Sequence, residues 1–416
     1  MSVAANTATP LAARYAAVRA QSEALCQPLA VEDYGVQPMI DASPPKWHLA
    51  HTTWFFETFV LKALVDDYEP VDERYEELFN SYYNGVGQPY PRSNRGLLSR
   101  PTVDEVLDYR GQVDAALANL LEQQDAKINQ RVELGLNHEQ QHQELILTDL
   151  KYNLGHNPLK PCYRSDLVIE LPPSTTSRIT FRGHQGGIVA VGADPGGFCF
   201  DNEQPRHDVL LAPFGLAERL VTNGEFLAFM EAGGYQDPAL WLAEGWIKVQ
   251  EAGWRHPLYW RERAGDWFEY RLSGERALVA DDPVVHVSGF EADAFARWAG
   301  YRLPTEFEWE AASAELDPAV GNFLEADVLH PTGVSGQGQL FGDAWEWTSS
   351  AYGPYPGYRT LPGTLGEYNG KFMSSQLVLR GGSCATPRSH IRASYRNFFY
   401  PPDRWQFTGI RLAVDA

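Results

Sequence analysis
The chain changes character between residues 156 and 178, and this change bounds its fold more tightly than any other feature. Before it lie four runs with helical patterning. "LAARYAAVRAQSEALC" places Leu11, Tyr15, Val18 and Leu25 close to one helical stripe. "PPKWHLAHTTWFFETFVLKALV" starts with two prolines, which suit a first helical turn. "TVDEVLDYRGQVDAALANLLEQ" opens on Thr102-x-x-Glu105, a capping-box pattern, and continues with the stripe Val106, Arg110, Val113, Leu117 and Leu120. "LNHEQQHQELILTDLKYNLG" runs to Gly155, a plausible stop. Four helices of this length predict a four-helix bundle over residues 1–155. The second and third are separated by "LFNSYYNGVGQPYPRSNRGLLSRP", a long aromatic loop of the kind that often carries function. Residues 156–178 read as a linker around one short strand. Residues 179–416 are rich in Gly, Pro and Trp, with short apolar runs, and predict a second domain with one helix near 290–300. The expected class is α+β.

Charge and cysteine usage exclude several functions. The net charge is −20, from 34 basic and 54 acidic residues, and such a surface repels nucleic acid and anionic lipid. Neither is expected as a partner. Cys26, Cys162, Cys199 and Cys384 are scattered and form no CxxC pair, so no disulfide framework or structural zinc site is expected. The N-terminal stretch lacks the basic start and apolar run of a signal peptide. No run approaches the ~18 apolar residues that span a bilayer. A soluble, cytoplasmic protein is the expectation.

The chemistry begins with His138-Glu139-Gln140-Gln141-His142, an H-E-x-x-H pattern. On a helix His138 and His142 lie one turn apart on one face, which suits two imidazoles on one metal. A zinc hydrolase would need a third ligand downstream. The extended pattern HExxHxxGxxH fails, because Leu145 stands at the glycine position, although a later glutamate such as Glu170 stays open. Upstream, His51 in "WHLAHTTWFFE" is the stronger third ligand, with His48 competing. Bundles build metal sites from facing helices. Three imidazoles would leave positions open on iron(II), a setting for oxygen chemistry.

"LAHTTWFFE" followed by "HEQQHQE" resembles the DinB-like helical domain of the ergothioneine-pathway sulfoxide synthases, the EgtB-like enzymes. "RLPTEFEWEAA" (302–312), "GDAWEWTSS" (342–350), "LRGGSC" (379–384) and "FTGIRLA" (407–413) resemble the formylglycine-generating-enzyme fold, a C-type-lectin-like architecture. The resemblance covers nearly the whole chain, with its motifs in order. It implies an Fe(II) site of His51, His138 and His142. The implied substrates are hercynine (trimethylhistidine), a thiol and dioxygen, and the implied product is a C–S-bonded sulfoxide. Glu139 would then be structural. Cys384 has no partner cysteine nearby and reads as a buried thiol rather than half of a copper site.

The same resemblance implies further roles. Gln141 and Asn397 would help bind hercynine. Phe398 and Phe399 could line the pocket of its trimethylammonium, since aromatic faces attract a fixed cation. Arg92 and Arg95 would hold the thiol donor's carboxylate. Tyr82 or Tyr83 would stand near the iron and supply a proton or hydrogen atom. Mycobacterial-type members use γ-glutamylcysteine and carry Asp two residues after the Asn of their RN motif. Here that position is Phe399, which favours the type II reading with free L-cysteine as donor. A selenoneine-type or ovothiol-type synthase is the alternative on the same scaffold. A zinc hydrolase or a lectin-like binding protein is the alternative from another class.

Overall fold
The computed structural model describes residues 10–123, 125–167, 178–333 and 339–416. Glu170, and with it most of the apolar stretch of the linker, lies outside the described residues. The chain divides into two compact units. One comprises Met1–Asn153 with Gly363–Leu365, and the other comprises Leu154–Pro362 with Gly366–Ala416.

The first unit is built on α1 (Leu11–Cys26), α2 (Pro45–Phe56), α3 (Val103–Leu121) and α4 (Ala126–His156). Pro44 caps α2 and Pro45 occupies its first turn, where the missing N–H costs nothing. All twelve α2 residues are buried, so this helix runs through the interior. It passes directly into a π-helical turn at Glu57–Leu61, which the sequence pattern does not signal. Thr102 and Glu105 close the expected capping box on α3, with Thr102 Oγ1 accepting from the Glu105 N–H at 3.2 Å and Glu105 Oε2 accepting from the Thr102 N–H at 2.6 Å. The α3 stripe of Val106, Arg110, Val113, Leu117 and Leu120 is buried as read. A glycine at position 135 of α4 lets Phe56 approach, since an added Cβ would lie 2.4 Å from that ring.

Among the described residues the second unit carries twelve short strands. They are β1 (Phe181–His184), β2 (Gly187–Val191), β3 (His207–Leu211), β4 (Phe214–Ala217), β5 (Trp260–Arg263), β6 (Asp266–Arg271), β7 (Gly274–Ala277), β8 (Trp345–Ala351), β9 (Leu377–Arg380), β10 (Asn397–Phe399), β11 (Thr408–Gly409) and β12 (Ala413–Asp415). They form sheets in the orders β1-β4-β12, β10-β9-β8-β11, β2-β3 and β5-β6-β7. Four helices accompany them, α5 (Asn223–Glu231), α6 (Ala243–Ala252), α7 (Gly289–Trp298) and α8 (Glu306–Ser313). Only α7 was expected. The capping boxes Thr222-x-x-Glu225 and Thr305-x-x-Glu308 announce α5 and α8, whose apolar stripes are too short to stand out.

The motif stretches of this unit form its scaffold. Trp309, Trp345 and Trp347 are fully buried. Glu346 accepts two bonds of 2.7 Å from Arg411 and one of 2.6 Å from the Trp309 indole. Glu306 and Glu310 hold Arg380, and Glu306 also holds Arg396. Every charge in these pairs is buried and compensated, as burial requires. Among the described residues no helix is long and apolar enough to cross a membrane.

Candidate metal centre
The first unit brings His51 of α2 together with His138 and His142 of α4. One ligating atom from each lies within 4.8 Å of the others. All three rings are buried. His51 stacks with Trp47, with ring centroids 4.5 Å apart and planes 10° apart. Its Nδ1 donates to the Phe79 carbonyl at 2.6 Å, so its lone pair sits on Nε2, which has no partner. Neither nitrogen of His138 has a partner. His142 Nδ1 lies 2.8 Å from His48 Nδ1, and His48 Nε2 lies 3.0 Å from Asp149 Oδ2. His48, the competing ligand from the sequence, therefore has both ring nitrogens engaged.

A buried nitrogen without a hydrogen bond costs free energy. Converging lone pairs of this kind fit a transition-metal ion, which would satisfy them at once. Burial pushes all three imidazoles below their usual pKa, His138 down to about 3. They are held neutral, which is the ligating form.

Glu139 faces a different set of groups. Its carboxylate accepts from Arg19 at 2.8 Å, Ser22 Oγ at 2.7 Å and Arg110 at 3.0 Å. Burial alone would raise its pKa, but the two guanidiniums override this and hold it below the usual carboxylate range. A carboxylate fixed by two buried cations cannot serve as the general base of a zinc hydrolase, which needs a proton affinity matched to water.

The loop before α3 adds Arg92, Arg95, Tyr82 and Tyr83. Arg92 is exposed and donates to the Asp41 carbonyl at 2.5 Å. Arg95 is buried, with its guanidinium carbon 3.3 Å over the Trp47 ring and one bond of 2.9 Å to Ser43 Oγ. Its Nε has no partner, and burial depresses its pKa well below the usual range. Tyr83 is buried and packs 4.9 Å from Phe59. Tyr82 is half-buried and lies near enough to Arg95 to interact with it electrostatically. Gln141 is half-buried, one residue before His142.

In the second unit Asn397, Phe398 and Phe399 form β10, paired antiparallel with β9. Phe398 stacks on Tyr352 at 4.1 Å, whereas Phe399 meets Trp405 edge-on at 5.7 Å. Successive strand residues face opposite ways. The two rings therefore pack in separate aromatic clusters.

Two family models match the chain. The DinB superfamily matches residues 14–146, and the sulfatase-modifying factor enzyme 1-like domain matches residues 180–327 and 329–416. A hercynine oxygenase of Mycobacterium tuberculosis is 34% identical over 405 residues, covering 90% of this chain and 91% of its own length. One of Mycolicibacterium thermoresistibile is 32% identical, covering 90% and 88%. The chain belongs to the hercynine oxygenase family. The resemblance read from "LAHTTWFFE", "HEQQHQE" and the later motifs names the same family and the same two domains in the same order. Within this hercynine oxygenase scaffold none of the four cysteines is in a disulfide, and Cys384 is buried. The sequence reading had no signal for Asp149, which pairs with His48 across 101 positions. A second buried group, Glu269, Asp282 and His330, converges among the described residues, but Arg271 bonds to both of its carboxylates and fills the place of a cation.

Proposed function
We propose that the protein is an iron(II)-dependent hercynine oxygenase of the cysteine-using, type II kind. It would join hercynine and L-cysteine with dioxygen to give hercynylcysteine sulfoxide, in the cytoplasm, within ergothioneine biosynthesis. The observation that carries this reading is the set of three neutral, buried imidazoles with converging lone pairs, in a chain of this family. Iron(II) held by them would supply a Lewis-acid site for a thiolate and the means to activate dioxygen. The remaining work falls to the chain. Arg95 would take the cysteine carboxylate, because a buried guanidinium lacking an ion pair is an anion site. Arg92, exposed beside Asp41, would add to the field at its entrance. Tyr82 or Tyr83 would hold the proton delivered during sulfoxide formation. Gln141 and Asn397 would bind hercynine, and Phe398 or Phe399, but not both, would face its trimethylammonium. Phe399 offers no counter-charge to a glutamyl amine, which supports free cysteine as donor.

The test is anaerobic iron loading followed by oxygen uptake with hercynine and either cysteine or γ-glutamylcysteine. We expect about one iron per chain, sulfoxide as product with cysteine, poor turnover of the dipeptide, and loss of iron in His51→Ala. Efficient use of the dipeptide overturns the donor assignment, and better use of a selenosugar moves the chain to the selenoneine branch. Zinc with peptidase activity overturns the whole reading.

A further inference from the structure
His48 stands three residues before His51 on α2, is buried, and ligates nothing in the reading above. We propose that His48 and Asp149 form a relay that fixes the tautomer and orientation of His142, so that its Nε2 faces the metal. The proposal rests on the three-histidine site.

The proton order follows from the partners. Asp149 Oδ2 accepts the Ser43 N–H at 2.7 Å and lies 3.0 Å from His48 Nε2. A carboxylate oxygen only accepts, so His48 Nε2 carries the proton. A neutral imidazole has one N–H, which leaves a lone pair on His48 Nδ1. That atom lies 2.8 Å from His142 Nδ1, which must therefore donate. The lone pair of His142 is then on Nε2. The reverse order would set two lone pairs against each other at Asp149. A doubly protonated His48 would make His142 Nδ1 the acceptor and put a proton on Nε2, where a ligand needs a lone pair. The relay joins α2 to α4, and Ser43, just before α2, anchors its far end. His51 has its own anchor at the Phe79 carbonyl. Such outer partners set ring orientation and raise ligand basicity.

The experiment uses the full chain. In the metal-free wild type, ¹⁵N-histidine NMR should show His142 as the Nδ1–H tautomer. Anaerobic titration with iron(II) or cobalt(II) should then compare four variants. His48→Ala and Asp149→Ala should weaken metal binding about 10–100-fold. His48→Gln carries an acceptor and a donor in one amide, and Asp149→Asn keeps an acceptor oxygen, so both should recover most of the affinity. A merely structural role would give no such rescue. An Nε2–H tautomer for His142, or a folded His48→Ala with unchanged affinity, overturns the proposal. If His48→Ala does not fold, the Asp149→Ala and Asp149→Asn pair carries the same contrast. A wild-type chain that binds no metal refutes the three-histidine site, while the tautomer still decides the proton order.

Discussion

Replacing Arg95 with methionine separates a binding role from a structural one. The guanidinium is 5% exposed and forms no ion pair among the described residues. Burying a lone charge costs several kcal/mol. Against this stand a close cation–π contact with Trp47, worth about 2 kcal/mol when desolvated, and one charged hydrogen bond to Ser43, worth about 1.5–3 kcal/mol. The terms nearly cancel, and methionine keeps much of the contact with the indole. Arg95→Met should therefore change stability by no more than about 1 kcal/mol, within the range of well-packed replacements. Its cost should fall on the substrate. Losing a charged hydrogen bond to a carboxylate removes about 1.5–3 kcal/mol, or roughly 10- to 150-fold in donor binding. The control is Arg110→Met, which strips a cation from Glu139 and should destabilise by about 3–5 kcal/mol. The assays are urea unfolding and the KM for cysteine and for hercynine by oxygen uptake. A loss of 3 kcal/mol or more in Arg95→Met, on the scale of a broken buried pair, would assign Arg95 to the scaffold. An equal rise in both KM values would refute its role in donor binding.

Glu139→Gln should lower the melting temperature sharply, because Arg19 and Arg110 lose a shared counter-charge worth about 3–5 kcal/mol. Iron content below the melting range should be unchanged, whereas a catalytic base would leave stability intact and abolish turnover. Tyr82→Phe should shift product from sulfoxide toward cysteine sulfinate at equal iron loading, and Tyr83→Phe should do so less, since Tyr83 packs against Phe59 while Tyr82 interacts with Arg95; mass spectrometry with unchanged ratios in both variants would exclude both phenols. The metal-free protein should lose stability in acid. His138 has a folded pKa of about 3 against 6.5 unfolded, so the unfolded chain takes up a proton that the native chain refuses. Stability present above about pH 6.5 is then lost as pH falls toward 3, at up to ~1.4 kcal/mol per pH unit. Between pH 6.5 and 5 His138→Leu should lack about 2 kcal/mol of that loss in urea titrations, and parallel curves would show that His138 does not carry it.

The helical unit was legible because each helix declares itself locally. Prolines open α2, a capping box opens α3, and the stripes have the period of a helix. His138 and His142 could be paired from spacing alone, since four residues make one turn. His51 against His48 could not be decided that way. Both lie on α2, and the choice depends on Phe79 and Asp149, which are 28 and 101 positions away from their partners. The second unit hid more. Its helices α5, α6 and α8 are short and lie in Gly- and Trp-rich surroundings, and α6 has no side-chain cap to mark its start. Phe398 and Phe399 follow Asn397 directly in the sequence, which does not show that β10 sends their rings to opposite faces and different neighbours.

The H-E-x-x-H spacing is shared by two chemistries, and what separates them here is the fate of its glutamate. The histidines one turn apart fix only that two imidazoles can reach one ion. Glu139 follows His138 directly and so points about 100° away around the helix. In this bundle that direction leads to α1 and α3, where Arg19, Ser22 and Arg110 wait. Arg110 is fully buried in the stripe of α3, a position that would ordinarily hold an apolar residue. Its presence makes sense only with anions opposite, and these are the buried Glu139 and the half-exposed Glu23. The cation in an apolar stripe, visible in the sequence as Arg110 between Val106 and Val113, is thus the counterpart of the glutamate in the metal motif. With Glu139 committed to the bundle, an ion held by His51, His138 and His142 would have three neutral ligands, and under the proposed function that setting would suit a thiolate and dioxygen rather than an activated water.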